Sequence, residues 1–168
     1  MIRTIVIACI LTAGTVATSR SLAPPPDGWR TFQGSWSAVG RRHTLPTGRG
    51  RPASVVQLSG AVVLTDGTGA SFGFQGEAIG FDDAEDLITG RAVWTDARGD
   101  RIFSVLKGEP VQTGRRIAGA ISGGTGAYAG VTGEYALTWQ YVVSGEDDLV
   151  QGRTADLNGR FRRGETQP

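Results

Sequence analysis

From residue 31 onward, apolar and polar side chains alternate with a period of two. That is the spacing of strands whose two faces meet different surroundings. No segment carries an apolar stripe at helical spacing. The pattern predicts eight strands, over residues 31–41, 54–65, 71–81, 87–96, 101–109, 115–123, 133–144 and 150–162. Turn-forming residues separate them: Pro46-Thr47-Gly48, Asp66-Gly67-Thr68-Gly69, Asp82-Asp83, Arg98-Gly99-Asp100, Thr113-Gly114, Gly123-Gly124-Thr125-Gly126 and Gly145-Glu146-Asp147-Asp148. Asp66-Gly67 and Gly99-Asp100 are the strongest hairpin signals. The stretch 42–53, rich in Arg, Gly and Pro, reads as the longest loop, and Asp82–Asp86 has room for one helical turn.

Within the seventh strand, Tyr135, Leu137, Trp139, Tyr141 and Val143 share one face, and Glu134, Thr138 and Gln140 the other. In the third, Phe72, Phe74 and Ala78 oppose Gln75, Glu77, Ile79 and Phe81. In the fourth, Ile88, Ala92 and Trp94 oppose Thr89, Arg91 and Val93. Several strands thus carry apolar groups on both faces, as expected where the outside of a sheet is partly covered. Eight short antiparallel strands fit either a closed barrel or a two-layer sandwich. Gly60, Gly73, Gly76, Gly80, Gly90, Gly119, Gly152 and Gly159 fall inside strands. Glycine weakens a flat strand but permits the sharp bends of a small barrel. The expected fold class is therefore all-β, an eight-stranded antiparallel up-and-down β-barrel over residues 31–163.

The first 23 residues differ. Arg3 precedes a 13-residue, mostly apolar, uncharged run from Ile5 to Ala17. Such a run is short for a membrane span and suits a secretory signal peptide. Cleavage is expected near Ala17; Ala23 is a poorer site because Pro24 follows it. An uncleaved amphipathic anchor and a lipidated Cys9 are the alternatives. Residues 18–30 read as a flexible Pro-rich lead-in and 164–168 as a disordered tail. The expected location is secreted or periplasmic. Cys9 is the single cysteine, so the exported chain forms no internal disulfide.

Composition narrows the picture further. Glycine contributes 26 of 168 residues, roughly twice ordinary usage. Lys and Arg together number 17 against 16 Asp and Glu, with Lys107 the single lysine. A net charge of +1 with no basic face argues against nucleic-acid binding. No later segment is apolar enough for a membrane span.

The segment Ile121-Ser122-Gly123-Gly124-Thr125-Gly126-Ala127-Tyr128-Ala129-Gly130-Val131-Thr132-Gly133 sets a glycine-rich turn before an aromatic residue and a strongly alternating strand. Thr125 can close a side-chain-to-backbone turn, and the glycines let Tyr128 fold back on the barrel end. This segment resembles the GGTG-aromatic-x-G element of the allene oxide cyclase-like and dirigent-like barrel superfamily. Gly108-Glu109, Ile117-Ala118-Gly119 and the strand count from Phe32 to Phe161 follow the same pattern. The resemblance implies an eight-stranded barrel with an apolar cavity, often dimeric or trimeric, that works on a bound small molecule without metal or organic cofactor. Its members' activities include allene oxide cyclisation, guidance of phenoxy-radical coupling and polyketide cyclisation. Plant dirigent proteins carry an arginine just before the last glycine of the element. This chain has Thr132 there, which argues against phenoxy-radical guidance.

Candidate chemistry is sparse. Glu77 lies in an otherwise apolar, glycine-rich strand, and Glu134 sits opposite an aromatic face. Either carboxylate, if enclosed, would have a raised pKa and could serve as a general acid or base. The plainer readings are a solvated Glu77 or one paired with Arg91, and a surface Glu134. Glu109 reads as a rim residue. Arg91 could hold a ligand carboxylate or make a cross-strand ion pair. Trp94, Tyr128, Tyr135 and Trp139, with Trp36, could line a cavity or fill the core. His43 is the single histidine, so no metal cluster and no Ser-His-Asp arrangement can be assembled. Gly123–Gly126 lacks a following lysine and helix, which excludes a phosphate loop. Asp82, Asp83, Glu85 and Asp86 lack calcium-loop spacing and read as a solvated turn. Arg41, Arg42, Arg49 and Arg51 read as a solvated loop, with lipid headgroups or an acidic partner as alternatives. Three functions follow as expectations: a barrel binding a small apolar or amphipathic molecule, a cofactor-free cyclase or isomerase using an interior carboxylate, and a structural protein with a filled barrel.

Overall fold

The computed structural model describes residues 28–48, 52–82, 88–144 and 148–164. The expected signal peptide, Cys9, nearly all of the Pro-rich lead-in, Arg49, Arg51, most of the acidic cluster and most of the tail lie outside the described residues. Eight strands follow in order: β1 Arg30–Leu45, β2 Ala53–Asp66, β3 Ser71–Asp82, β4 Ile88–Thr95, β5 Arg101–Val111, β6 Gly114–Gly124, β7 Val131–Ser144 and β8 Leu149–Arg163. Each pairs antiparallel with the next, and β8 pairs antiparallel with β1, closing the barrel. Closure leaves no strand edge unpaired. The expected barrel class is the observed one, and the sandwich is excluded.

One expected boundary needs correction. The loop expected over 42–53 is confined to 46–52, because β1 continues to Leu45 and β2 begins at Ala53. Arg42↔Val56, His43↔Val55, Thr44↔Ser54 and Leu45↔Ala53 extend the ladder. Local Arg and Gly content suggested a loop, but the valines of β2 supply a pairing partner. Arg42 and His43 are therefore strand residues. Asp82 is the last residue of β3, and the one helical turn suggested after it falls on 83–87, outside the described residues.

The hairpins divide the barrel into two ends. The turns at 67–70, 96–100 and 125–130 lie at one end, here called the closed end. The β1–β2, β3–β4, β5–β6 and β7–β8 connections lie at the other, the mouth. At the closed end Asp66 Oδ1 accepts the Thr68 and Ala70 N–H groups. Asp96 Oδ1 accepts those of Arg98 and Asp100 in the same way. Two Asp-x-x-Gly turns thus share one device, in which the carboxylate caps the backbone donors of the bend. The segment 125–130 completes this end. Gly126 has φ +50°, and any Cβ there would collide with the Asp100 carboxylate. Asp100 Oδ2 instead accepts the Ala127 N–H at 2.9 Å, and Thr125 Oγ1 accepts the Arg101 N–H at 2.9 Å.

The interior is built from rings. Tyr128, Phe74, Trp94 and Tyr135 form a contiguous series with centroid spacings of 5.8, 6.3 and 4.7 Å. Nearer the mouth, Trp36, Trp139 and Tyr141 continue it at 4.9 and 6.2 Å. The aliphatic residues Val62, Leu137, Val150 and Leu157 are buried among them. Rings of this size fit because glycines on the neighbouring strands lack a side chain. Gly119 pairs directly with Tyr135, and a Cβ at Gly119 would run into the phenol ring.

Gly119→Ala is expected to cost about 1–3 kcal/mol by overpacking. In a Tyr135→Leu background the same substitution is expected to cost less than about 1 kcal/mol, because the colliding ring is gone. Urea unfolding of the four variants measures the coupling. Equal costs in both backgrounds would show that the ring does not occupy that space.

Candidate binding site in the barrel interior

Alternation decides which side chains reach the interior. On β7, Tyr135, Leu137 and Trp139 are buried and Glu134 and Gln140 exposed. On β4, Ile88, Ala92 and Trp94 point in and Arg91 points out. On β3, Phe74 and Gly76 are buried while Gln75, Glu77 and Ile79 are exposed. These assignments leave an apolar cavity of about 80 Å³ toward the mouth. Leu58, Ala78, Ala92, Leu106, Ile117 and Leu137 form its aliphatic wall, and Trp36, Trp94, Tyr135, Trp139 and Tyr141 its aromatic one. Asp82, at the end of β3, and Arg115, at the start of β6, also line it, and Arg115 donates from Nε and Nη2 to Asp82 Oδ2 at 3.2 and 2.9 Å.

Several interior polar atoms have no partner. Trp36 Nε1 and Trp139 Nε1 are both buried and unbonded. An unsatisfied buried donor costs about 1–3 kcal/mol, so two of them on residues that line one small apolar cavity need a reason. The Ser104 hydroxyl makes no well-formed hydrogen bond. Burial pushes the neighbouring Tyr135 hydroxyl up to about 12, with Ser104 offsetting part of the rise. Arg42 continues the inward parity of Trp36, Ala38 and Gly40 on β1, and its guanidinium stands 4.4 Å from the centre of the Tyr141 ring. Its Nε and Nη2 are buried without hydrogen-bond partners.

The residues singled out from the sequence divide clearly. Trp94, Tyr135 and Trp139 line the cavity. Tyr128 lies at the closed end instead, where its hydroxyl donates to Asp96 Oδ2 at 3.3 Å. Glu77 is exposed on the outer face, opposite Val93 and Ser59. Glu134 is also outside, where Arg160 donates to it from Nε at 2.8 Å. Arg91 is exposed and donates from Nη1 to the Gly90 carbonyl at 3.0 Å. These two carboxylates and Arg91 therefore do not enter the enclosed space. Glu109 pairs with Arg116 at 3.4 Å near the mouth. Sequence reasoning missed Arg42, the Asp82–Arg115 pair and the two indole N–H groups. The available signal was the parity of β1, which places Arg42 on the same face as Trp36.

A larger concavity of about 920 Å³ lies on the outer wall across β5 to β8 and β1, floored by Ala118, Ala120 and Ala136. It holds the Glu134–Arg160 pair, and none of the residues lining it carries a buried, unpartnered side-chain donor. Among the described residues no group of three His, Cys, Asp or Glu side chains could hold a metal ion, and no helix is long and apolar enough to cross a membrane.

The closed eight-strand meander has the strand number and order expected from the resemblance to allene oxide cyclase-like and dirigent-like barrels. Among solved structures the chain is similar to pyocyanin demethylase, at 16% identity and a TM-score of 0.41, over 77% of this chain and 98% of that one. It is also similar to the pterocarpan synthase dirigent protein GePTS1, at 13% identity and a TM-score of 0.42, over 82% and 88%. Neither likeness extends to chemistry. No protein-family model matches the chain, and no curated protein matches it in sequence.

The closed-end carboxylates set an acid limit on stability. The Thr68 hydroxyl, opposed by partial desolvation and joined by the Thr68 and Ala70 N–H groups, holds Asp66 below the ordinary value of 3.8. Desolvation works against the Asp96 carboxylate, but the Arg98 and Asp100 N–H groups, the Tyr128 hydroxyl and the Arg98 charge outweigh it, and its pKa is also lowered. A depressed folded pKa gives stability that is present above the unfolded value and lost as pH falls through the folded one. The thermal midpoint is therefore expected to drop as pH is lowered below about 4. A doubly substituted Asp66→Asn, Asp96→Asn protein is expected to start lower at neutral pH and to lose less on acidification. Parallel acid dependence in the two proteins would remove these carboxylates as the cause.

Proposed function

We propose that the barrel binds a small, ring-bearing, largely apolar molecule that carries a hydrogen-bond acceptor. The observation that carries this reading is the pair of buried, unpartnered indole N–H groups carried by Trp36 and Trp139, two residues that line an apolar cavity. Apolar walls with a few convergent polar atoms are the usual build of small-molecule sites. The enclosed volume is well under the usual few hundred Å³, so it takes one ring, with the remainder of the ligand passing through the mouth. Binding is preferred over cyclase or isomerase chemistry because, among the described residues, the one carboxylate lining the cavity is Asp82, already bonded to Arg115. It is preferred over a purely structural role because a filled barrel would leave no reason for unsatisfied donors. Export to the periplasm or exterior, carried by residues 1–17, belongs to the same proposal. So does a dimer or trimer, which would cover exposed Val39, Leu45, Val55, Ile79, Phe81 and Val142 around the mouth.

Acetophenone supplies a ring and a carbonyl acceptor, and ethylbenzene supplies the ring alone. Calorimetric titration is expected to show saturable binding of both, with acetophenone tighter by about three- to tenfold, the worth of one hydrogen bond. Ala78→Leu, which fills the cavity, is expected to weaken both while leaving the fold intact by circular dichroism. Absence of saturable binding, or binding indifferent to Ala78→Leu, would overturn the reading.

A further inference from the structure

We propose that Arg42 is an anion-recognition residue and that the molecule taken into the barrel carries a carboxylate, or an equivalent planar anionic group, held at the mouth. This inference rests on the ligand-binding reading above and specifies which end of the ligand is charged.

Arginine recognises planar anions through one edge of its guanidinium. The edge formed by Nε and one terminal nitrogen presents two parallel donors, which match the two oxygens of a carboxylate. This protein uses that edge repeatedly. Arg115 turns Nε and Nη2 onto Asp82, and Arg160 turns Nε and Nη2 onto Glu134. In Arg42 the same two atoms, Nε and Nη2, are buried and have no partner. No carboxylate among the described residues pairs with it, whereas Arg98, Arg115, Arg116 and Arg160 each have one.

Position adds to geometry. The guanidinium is packed over the Tyr141 ring, 4.4 Å from its centre, which holds the plane of the fork in place. Tyr141 in turn meets Trp139 edge-on at 6.2 Å, and both rings line the cavity. Arg42 is thus one ring removed from the cavity lining, and a ligand ring seated there with its substituent passing Tyr141 would bring that substituent to Arg42. Burying a charge without a counter-charge is strongly unfavourable, and an arriving anion relieves that cost. Arg115 does not compete for the anion, because Asp82 already occupies its fork.

Benzoate and acetophenone test the proposal, since they share a ring and nearly the same shape but differ in charge. Calorimetric titration of the full chain is expected to give benzoate the tighter binding by about tenfold or more, as befits a charge-assisted pair of hydrogen bonds. Arg42→Met is expected to bring the preference for benzoate over acetophenone close to unity. Arg42→Lys is expected to keep the sign of the preference at reduced size, because lysine supplies the charge without the fork. Circular dichroism of each variant establishes that it is folded. Inorganic phosphate is expected to compete with benzoate and not with acetophenone if a free anion can also fill the fork. Competition with neither, together with a benzoate preference lost in Arg42→Met, assigns the site to ligand-borne carboxylates. Acetophenone binding with no preference for benzoate, or a preference that survives Arg42→Met, overturns the role of Arg42 and leaves the binding reading standing. Failure of both molecules to bind overturns the binding reading itself.

Discussion

The structure depends on fitting large rings inside a wall of only eight strands. A barrel of this size has an interior just wide enough for side chains. Here the inward positions of neighbouring strands trade volume: glycine on one strand, an aromatic ring on the next. Tyr135 lies against Gly119 and Gly159, and Trp139 lies against Gly152. The rings supply most of the buried apolar area, and the glycines supply the room and the bending. Neither works alone. Aromatic residues facing side-chain-bearing neighbours would not fit, and glycine without the rings would leave voids.

That trade is carried through at the closed end and stops short of the mouth. At the closed end, Phe32, Phe74 and Tyr128 close the column, and Asp66, Asp96, Asp100 and Thr125 satisfy the backbone of the turns. Toward the mouth, Ala78 and Ala92 stand where rings could have stood, and the space they leave is the cavity. Polar satisfaction follows the same division. Among the described residues, the buried nitrogen donors without partners belong to Trp36, Trp139 and Arg42, and the Ser104 hydroxyl is the one such group toward the closed end. Buried polar groups are nearly always bonded in folded proteins, and exceptions gather where a protein handles something else.

Much of the fold was legible in the sequence because alternation and turn residues are local signals. The eight strands, their order and the Asp-Gly turns follow from spacing alone. Glycine inside strands distinguished a barrel from a sandwich because curvature has a local cost that glycine lowers. The site was less legible. Alternation says which side chains share a face but not which face is inside when both carry apolar groups. On β3, Ile79 and Phe81 are exposed while Ala78 and Gly76 are turned in, so Glu77 goes out with the larger apolar residues. Glu134 follows the parity opposite Tyr135 and Trp139, and finds Arg160 across the strand pair. Arg42 was hidden by its neighbours: a run of arginines near glycine and proline resembles a loop until the valines of β2 pair with it.

The arginines show how pairing converts a common residue into an uncommon site. A chain with nearly equal numbers of acidic and basic groups can neutralise guanidinium groups across adjacent strands, as Glu109 does for Arg116 and Glu134 for Arg160. An arginine on the outer wall loses little by lacking a partner, because water replaces it. Arg42 has neither water nor a carboxylate on its Nε and Nη2 edge, and it is held against Tyr141 instead of escaping to solvent. The long flexible side chain could turn outward if the mouth were only a structural rim. Packing over the ring keeps the fork against Tyr141, a residue that lines the cavity, so the interaction that holds the guanidinium in place also prepares it for an anion. The closed end thus supplies the stability, and the mouth holds donors whose partners the chain does not provide.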